Sequence, residues 1–150
     1  MNDAAVMREA LREARAAYER GECAVGAVLV QGEEIIACAG NREVELHDPT
    51  AHAEILVLRE AGRRLRRHTL PDCTVYTTLW PCPMCETALL RAKVPHVICG
   101  ARSFKYIYEV TFDPSQLEKT GPILEDECRS LYVQWLKRRG LDMILEYEGL

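Results

Sequence analysis

The sequence lacks a long hydrophobic run, because no apolar stretch among its 150 residues approaches the roughly 18 that a membrane-spanning helix needs. The N-terminal segment MNDAAVMREALREARAAYERG mixes acidic and basic residues and lacks the apolar core of a signal peptide. Internal repeats, low-complexity segments and an interdomain linker are lacking as well. We therefore expect a cytoplasmic protein with no membrane partner, folded as one domain over residues 1–150.

The chain has little excess charge, with a net charge of −4 that gives no long-range attraction for nucleic acid, although a local basic patch is compatible with it. Its seven cysteines are an odd number, which argues against complete pairing in disulfides. In a reducing compartment most of them are typical of small buried hydrophobic residues. Cys82 and Cys85 differ, because they form a Cys-x-x-Cys pair.

Hydrophobic periodicity predicts alternating helices and strands. Helices are predicted over residues 3–20, 51–65, 82–92 and 125–139, with Thr50 as the cap of the second. Strands are predicted over residues 23–31, 34–41, 73–79 and 96–101, and the chain from residue 141 is predicted as a tail. The strand–helix–strand–helix–strand order predicts parallel crossovers and a sheet with helices on its faces.

Two short motifs carry chemistry, TAHAE at residues 50–54 and PCPMC at residues 81–85. His52 and Glu54 fall at the start of one predicted helix, and Cys82 and Cys85 at the start of another. Each residue alone has an ordinary explanation as a cap, a core residue or a redox pair. A redox pair, however, explains neither His52 nor Glu54. If the two helix N-termini converge at one edge of the sheet, the four side chains would lie together and could form a single site.

One imidazole and two thiolates supply three ligands of a tetrahedral zinc and leave the fourth position for water. His47 and His96 remain open as a fourth ligand, although both lie outside the two motifs. Zinc makes a water molecule acidic enough to act near neutral pH, and Glu54 is placed to move protons between that water and a leaving group. Soft thiolates with one imidazole favour zinc over other divalent metals.

The pattern His-x-Glu followed by Pro-Cys-x-x-Cys resembles the signature of the cytidine and deoxycytidylate deaminase superfamily. The resemblance implies a three-layer α/β/α sandwich with a central five-stranded mixed sheet. It also implies one zinc per chain held by His52, Cys82 and Cys85, and Glu54 protonating the ring nitrogen and then the departing ammonia. In the superfamily an asparagine after the second strand bonds the base, and Asn41 matches it. A homodimer is implied as well.

Two parts of the chain resemble different members of the superfamily. The segments around HDPTAHAEI and PCPMC resemble bacterial tRNA adenosine deaminases, which usually carry Glu where this chain has Trp80. The segment SFKYIYE resembles free-base deaminases of the cytosine and guanine types, with Phe104 matching the phenylalanine that stacks on cytosine. By position, Glu146 matches an aspartate that accepts from the substrate amine. The resemblance thus implies Asn41, Trp80, Phe104 and Glu146 as the residues that surround a base.

We therefore expect a zinc-dependent hydrolytic deaminase acting on a free nucleobase or a similar amino-heterocycle, with cytosine ahead of guanine. The alternative is a tRNA-specific adenosine deaminase that makes inosine at the wobble position. For that substrate the cluster Arg63, Arg64, Arg66 and Arg67 would supply phosphate contacts, although it also fits a solvated helix end. An alternative of another class is a zinc-stabilised binding module without catalysis.

Overall fold

The computed structural model describes residues 1–102 and 117–148 of the chain. These residues form six helices and five strands. The elements are, in chain order, α1 (Asp3–Glu19), β1 (Gly26–Gln31), β2 (Glu34–Gly40), α2 (Glu43–Leu46), α3 (Ala53–Leu65), β3 (Cys73–Leu79), α4 (Pro83–Arg91), β4 (His96–Ala101), β5 (Glu118–Thr120), α5 (Glu125–Arg138) and α6 (Asp142–Glu148). No helix in the described ranges is long and apolar enough to cross a membrane.

The five strands form one mixed sheet in the order β2-β1-β3-β4-β5. β1 is antiparallel to both of its neighbours, whereas β3, β4 and β5 are parallel. β2 and β3 therefore point the same way with β1 between them. The sheet confirms the predicted five-stranded mixed architecture.

Helices cover both faces of the sheet, as predicted. Val57 of α3 and Leu89 of α4 pack in one core with Ala27 and Leu29 of β1. On the other face, residues of α1 and α5 share a core with Val28 and Val30 of the same strand. Successive β1 side chains thus enter opposite cores. Because both faces of the strand are buried, its sequence is a continuous apolar run with no alternation of polar residues.

Most element boundaries lie within one residue of the prediction, whereas β1 begins at Gly26 and not at residue 23. β3 and β4 have the predicted bounds. α3 begins two residues after its predicted start, because Thr50 hydrogen-bonds Asp48 instead of capping the helix, and His52 holds the N-cap position. Residues 142–148, which were predicted as part of a tail, form the helix α6, and the short elements α2 and β5 were not predicted.

Two glycines bring α1 close to the end of the sheet. Gly26 and Gly40 are directly paired between β1 and β2. A Cβ atom added to Gly26 would lie 2.0 Å from the carbonyl oxygen of Ala10, and one added to Gly40 would lie 2.5 Å from that of Glu13. Only glycine allows this approach, which fixes the start of β1 and the end of β2 against α1.

A buried ion pair connects α4 to the edge strand β5. Lys119 of β5 forms a salt bridge with Glu86 of α4, and their side chains are 14% and 7% exposed. The Lys119 ammonium also lies 5.4 Å from the ring centroid of Trp80, and burial lowers the pKa of Lys119. The pair ties the short edge strand to the helix that carries Cys85.

We expect Glu86→Met and Lys119→Met each to lower the free energy of unfolding by about 2–3 kcal/mol, because each leaves a charge that is largely buried without its partner. The double variant should lie within about 1 kcal/mol of the original chain, since an apolar pair of similar shape has no charge to desolvate. Urea unfolding of all four proteins gives the coupling energy. The account would be contradicted if the free energy of unfolding of the double variant fell by the sum of the decreases in the two single variants.

Candidate active site

The structure brings His52, Cys82 and Cys85 together, and their ligand atoms all lie within 4.8 Å of one another. His52 Nδ1 lies 3.6 Å from Cys82 Sγ and 3.5 Å from Cys85 Sγ. They are the only such cluster of metal-ligating side chains among residues 1–102 and 117–148. Two sulfurs and one imidazole nitrogen match the donor set that zinc prefers, so the residues present fit the ion.

The helix starts explain this convergence. His52 is the N-cap of α3 and Cys82 is the N-cap of α4, both with extended backbone dihedrals (φ −73°, ψ 152° and φ −68°, ψ 166°). We had expected both residues inside the first helical turn, and the structure places each one position before it. α3 follows β2 and α4 follows β3, and these strands point to the same sheet edge. Both helix N-termini therefore meet there.

The electrostatics of the cluster suit a divalent cation. The hydrogen bond from Cys85, with a further one from His52, lowers the pKa of Cys82 to about 4 against the opposing effect of burial. The same hydrogen bond and burial raise the pKa of Cys85. Burial alone would lower the pKa of His52, but hydrogen bonds to Cys82 and Glu43 outweigh it and raise the value to about 10. A cation would replace the protons that these groups share.

Neither of the other two candidate ligands lies in the cluster. His96 is at the start of β4, at the opposite edge of the sheet, where its Nε2 lies 2.6 Å from Thr120 Oγ1. His47 is the exposed C-cap of α2. Within the described part of the chain the cluster thus offers three protein ligands, which leaves a position for a reacting molecule.

Glu54 lies beside the cluster and is 3% exposed. Its Oε2 lies 3.6 Å from Cys85 Sγ, and its Oε1 accepts a hydrogen bond from Thr77 Oγ1 at 3.1 Å. Burial is the largest influence on this carboxyl and raises its pKa. The structure therefore brings the predicted proton carrier to the metal ligands, on the first turn of α3.

A pocket of about 360 Å³ opens onto the cluster, within the size range of small-molecule sites. Its floor includes His52, Glu54 and Cys82. The remaining walls come from the chain before β1, from the segment after β2 including α2, from the end of β3, and from α5 and the segment after it. They are lined by Gly21, Glu22, Cys23, Val25, Asn41, Glu43, Val44, Leu79, Trp80, Tyr132, Trp135, Leu136, Arg139, Leu141 and Ile144.

Two of the predicted base-contacting residues, Asn41 and Trp80, lie in the pocket wall. Asn41 is 3% exposed; its Oδ1 accepts a hydrogen bond from the backbone of Ala53 at 2.8 Å, and its Nδ2 donates to Glu43 Oε1 at 3.1 Å. Trp80 has a buried indole N–H without an acceptor among the described residues. Both stay candidates for contact with a base.

The other two predicted residues have different outcomes. Phe104 lies outside the described residues. Glu146 is exposed on α6 and does not line the pocket, whereas the apolar Leu141 and Ile144 from the same part of the chain do. The C-terminal helix thus contributes an apolar wall where we had expected a carboxylate acceptor.

Sequence reasoning missed several residues of the site. Glu22, Glu43 and Thr77 are polar groups that line the pocket or hydrogen-bond its residues, and the stacked pair Tyr132 and Trp135 forms an aromatic wall with ring centroids 5.5 Å apart. The one signal for Glu22 was a charged residue directly before an apolar strand. No local pattern marked the others, because their elements meet only in the folded chain.

Residues 1–101 match the family described as the cytidine and deoxycytidylate deaminase zinc-binding region. The match includes all three residues of the cluster and Glu54.

Two curated relatives are named tRNA-specific adenosine deaminase. The protein of Aquifex aeolicus is 48% identical over 100 residues, which are 67% of this chain and 66% of that protein, so the match covers slightly less than two thirds of it. The protein of Buchnera aphidicola subsp. Schizaphis graminum is 34% identical over 141 residues, 89% of this chain and 93% of that protein.

Two solved structures share the fold. One, from a study of A-to-I editing by tRNA:A34 deaminases, is 38% identical with a TM-score of 0.79, and the match covers 85% of this chain and 98% of that one. A guanine deaminase from Bacillus subtilis is 35% identical with a TM-score of 0.67, covering 77% and 73%.

These matches overturn the expected free-base substrate, cytosine ahead of guanine. The alignment with a tRNA-specific adenosine deaminase extends over 89% of this chain, so it is not limited to the motif region. In the structure, moreover, Glu146, one of the four residues on which the free-base interpretation drew, is exposed and does not line the pocket. The free-base interpretation is therefore wrong, and the relatives support the alternative.

We expect Cys85→Ala to lose stoichiometric zinc, because it removes one of three ligands and leaves a buried space beside His52. The matched control is Cys38→Ala, which changes an exposed cysteine of β2 and should keep its zinc. Metal analysis after gel filtration measures both. Full zinc in the Cys85 variant would exclude the proposed ligand set.

Proposed function

Because the chain belongs to the cytidine and deoxycytidylate deaminase zinc-binding family, we propose that it is a hydrolytic deaminase that converts an adenosine of tRNA to inosine. The observation that carries the proposal is the length of the similarity. A tRNA-specific adenosine deaminase matches over 93% of its own length and 89% of this chain, so the match is not confined to the motif region. The relatives are named as tRNA-specific adenosine deaminases, and we infer the same substrate class for this chain.

The proposed reaction exchanges the exocyclic amine of the base for an oxygen from water and releases ammonia. His52, Cys82 and Cys85 would hold the zinc, which when bound supplies the Lewis acidity that activates water at neutral pH. Glu54 would take one proton from the attacking water and give it to the ring nitrogen, and would then take the second proton from the hydroxyl group now bonded to the carbon and give it to the departing amine. Its position supports this role, since Thr77 orients one carboxylate oxygen while the other faces the cluster.

A base taken out of an RNA strand would enter the pocket edge first. The aromatic surfaces of Trp80 and of the Tyr132–Trp135 pair suit a flat ring. Asn41 offers an amide at the pocket wall whose current partners are Ala53 and Glu43, and its contact with a base would replace or share one of them. The buried indole N–H of Trp80 adds a donor that a base could satisfy.

A polymer substrate also needs cations near the pocket mouth. Arg139 lines the pocket and forms no ion pair with other described residues, so it is the best placed to meet a phosphate. Arg20 and Arg42 lie next to the same wall but are both engaged with Glu45. Among the described residues Arg139 is the only arginine or lysine that lines the pocket, and together with the net charge of −4 this implies few phosphate contacts and a shallow salt dependence of binding.

Three further expectations belong to the same proposal. The chain acts as one domain over residues 1–150, in the cytoplasm, and as a homodimer in which helices of the motif region meet. α3 and α4, which carry the motifs, lie side by side on one face of the sheet. Sedimentation equilibrium would measure the oligomeric state.

We expect the zinc-loaded protein to form inosine in an anticodon stem-loop with adenosine at the wobble position. Free adenine, free adenosine, cytosine and guanine should release no ammonia above background, because none of them places a phosphate at Arg139 or uses the strand to orient the base. A stem-loop with guanosine at the wobble position is the matched control. Ammonia release from a free base with an inert stem-loop would contradict the proposal.

Glu54→Gln should keep zinc and fold but lose turnover by about 10²–10⁴-fold, because the amide cannot carry a proton. Glu60→Gln is the control, since Glu60 lies on the same helix and pairs with Arg63 and Arg64 outside the pocket. Single-turnover assays and metal analysis give both quantities. A Glu54 variant that keeps full activity would show that the site works without this proton carrier, and one that loses its metal would make Glu54 a structural residue.

A further inference from the structure

Glu43 lies behind the metal ligand His52, on the side away from the two cysteines. His52 Nδ1 faces Cys82 and Cys85, and its other ring nitrogen, Nε2, lies 3.4 Å from Glu43 Oε1. A neutral imidazole that offers Nδ1 to a metal carries its proton on Nε2. That proton needs an acceptor, and the Glu43 carboxylate lies within 3.4 Å of the nitrogen that carries it.

We propose that Glu43 is a positioning residue for the zinc site, whose carboxylate accepts the Nε2–H of His52 and thereby fixes the ring so that Nδ1 points at the metal. A carboxylate in this place selects the correct tautomer, orients the ring and makes the ligand nitrogen more basic. Glu43 thus tightens metal binding without being a ligand of the metal. The inference concerns zinc affinity, so it holds for any substrate of the site.

The carboxylate of Glu43 also joins the start of α3 to the end of β2. Its Oε1 accepts from Asn41 Nδ2 at 3.1 Å, while Asn41 Oδ1 accepts from the backbone N–H of Ala53 at 2.8 Å. Ala53 directly follows His52. Both the ring and the backbone next to His52 are therefore held by the same pair of side chains, Asn41 and Glu43.

A second buried carboxylate holds Glu43 in place. Glu22 is 2% exposed, and its two oxygens accept hydrogen bonds from the backbone N–H groups of Val44 at 3.0 Å and Glu45 at 2.8 Å. These are the residues that follow Glu43 at the start of α2. Glu22 thereby anchors this short helix, although it lies more than twenty residues away along the chain. The anchoring explains why a glutamate is kept inside the protein at this edge of the sheet.

The matched control for Glu43 lies two residues further on in the same helix. Glu45 carries the same charge but points outward, where it binds Arg42 at 2.9 Å with its side chain 45% exposed. Replacing either glutamate removes one negative charge from α2. Only Glu43 contacts His52, so a difference between the two variants isolates that contact.

The experiment compares Glu43→Ala, Glu43→Gln and Glu45→Gln with the original chain by competition for zinc with a chromophoric chelator. We expect Glu43→Ala to weaken zinc binding by about 10–100-fold and Glu43→Gln by less, because the glutamine oxygen still accepts a hydrogen bond without a charge. Glu45→Gln should stay within about twofold. The visible spectrum of the cobalt-substituted protein should change for the Glu43 variants alone, because it reports the arrangement of the ligands.

Unchanged zinc affinity and an unchanged cobalt spectrum in Glu43→Gln and Glu43→Ala would overturn the proposal. Equal weakening in Glu45→Gln would overturn it too, because the cause would then be the charge or the stability of α2. Should Glu43→Ala fail to fold, the comparison of Glu43→Gln with Glu45→Gln decides the question. Because every readout is metal binding, an error in the proposed tRNA substrate leaves this test unaffected.

Discussion

The meeting of two helix N-termini at one edge of the sheet is the constraint on which the site depends. β2 and β3 are parallel to each other although β1 separates them, so α3 and α4 both begin at the same edge. His52 and Cys82 occupy the two N-cap positions, and Cys85 lies within the first turn of α4. The unpaired backbone N–H groups and the positive ends of both helices then favour thiolates and carboxylates at this place.

This concentration of anionic groups requires compensation, and the structure provides it group by group. Glu22 accepts two backbone N–H groups of α2, Glu54 accepts from Thr77, and Glu43 lies between Asn41 and His52. Buried carboxylates without such partners would destabilise the fold by several kcal/mol each. The same hydrogen bonds that satisfy these carboxylates also hold the helix starts that carry the metal ligands. The folded chain therefore already holds the ligands in place before a metal binds.

The pocket itself is shared between two regions of the chain. Residues before β4 supply the cluster, Asn41 and Trp80, whereas α5 and the segment after it supply the aromatic pair, Arg139 and an apolar wall. Similarity to a tRNA-specific adenosine deaminase extends over both regions. Trp80 in the pocket wall lies beside Lys119 of β5, whose ammonium group is 5.4 Å from the ring centroid and pairs with Glu86.

The sequence alone determined the order of the main helices and strands, and it identified His52, Glu54, Cys82 and Cys85 as one group, because periodicity, capping and metal-ligand spacing are local properties. It did not place β1 between β2 and β3, nor did it place Glu43 beside His52 or Glu22 under the start of α2. It also misplaced Glu146, because the direction of a side chain on α6 depends on how that helix packs against α5. Strand order and helix rotation are set by contacts between distant residues, so the tertiary structure alone decided which side chains share the pocket.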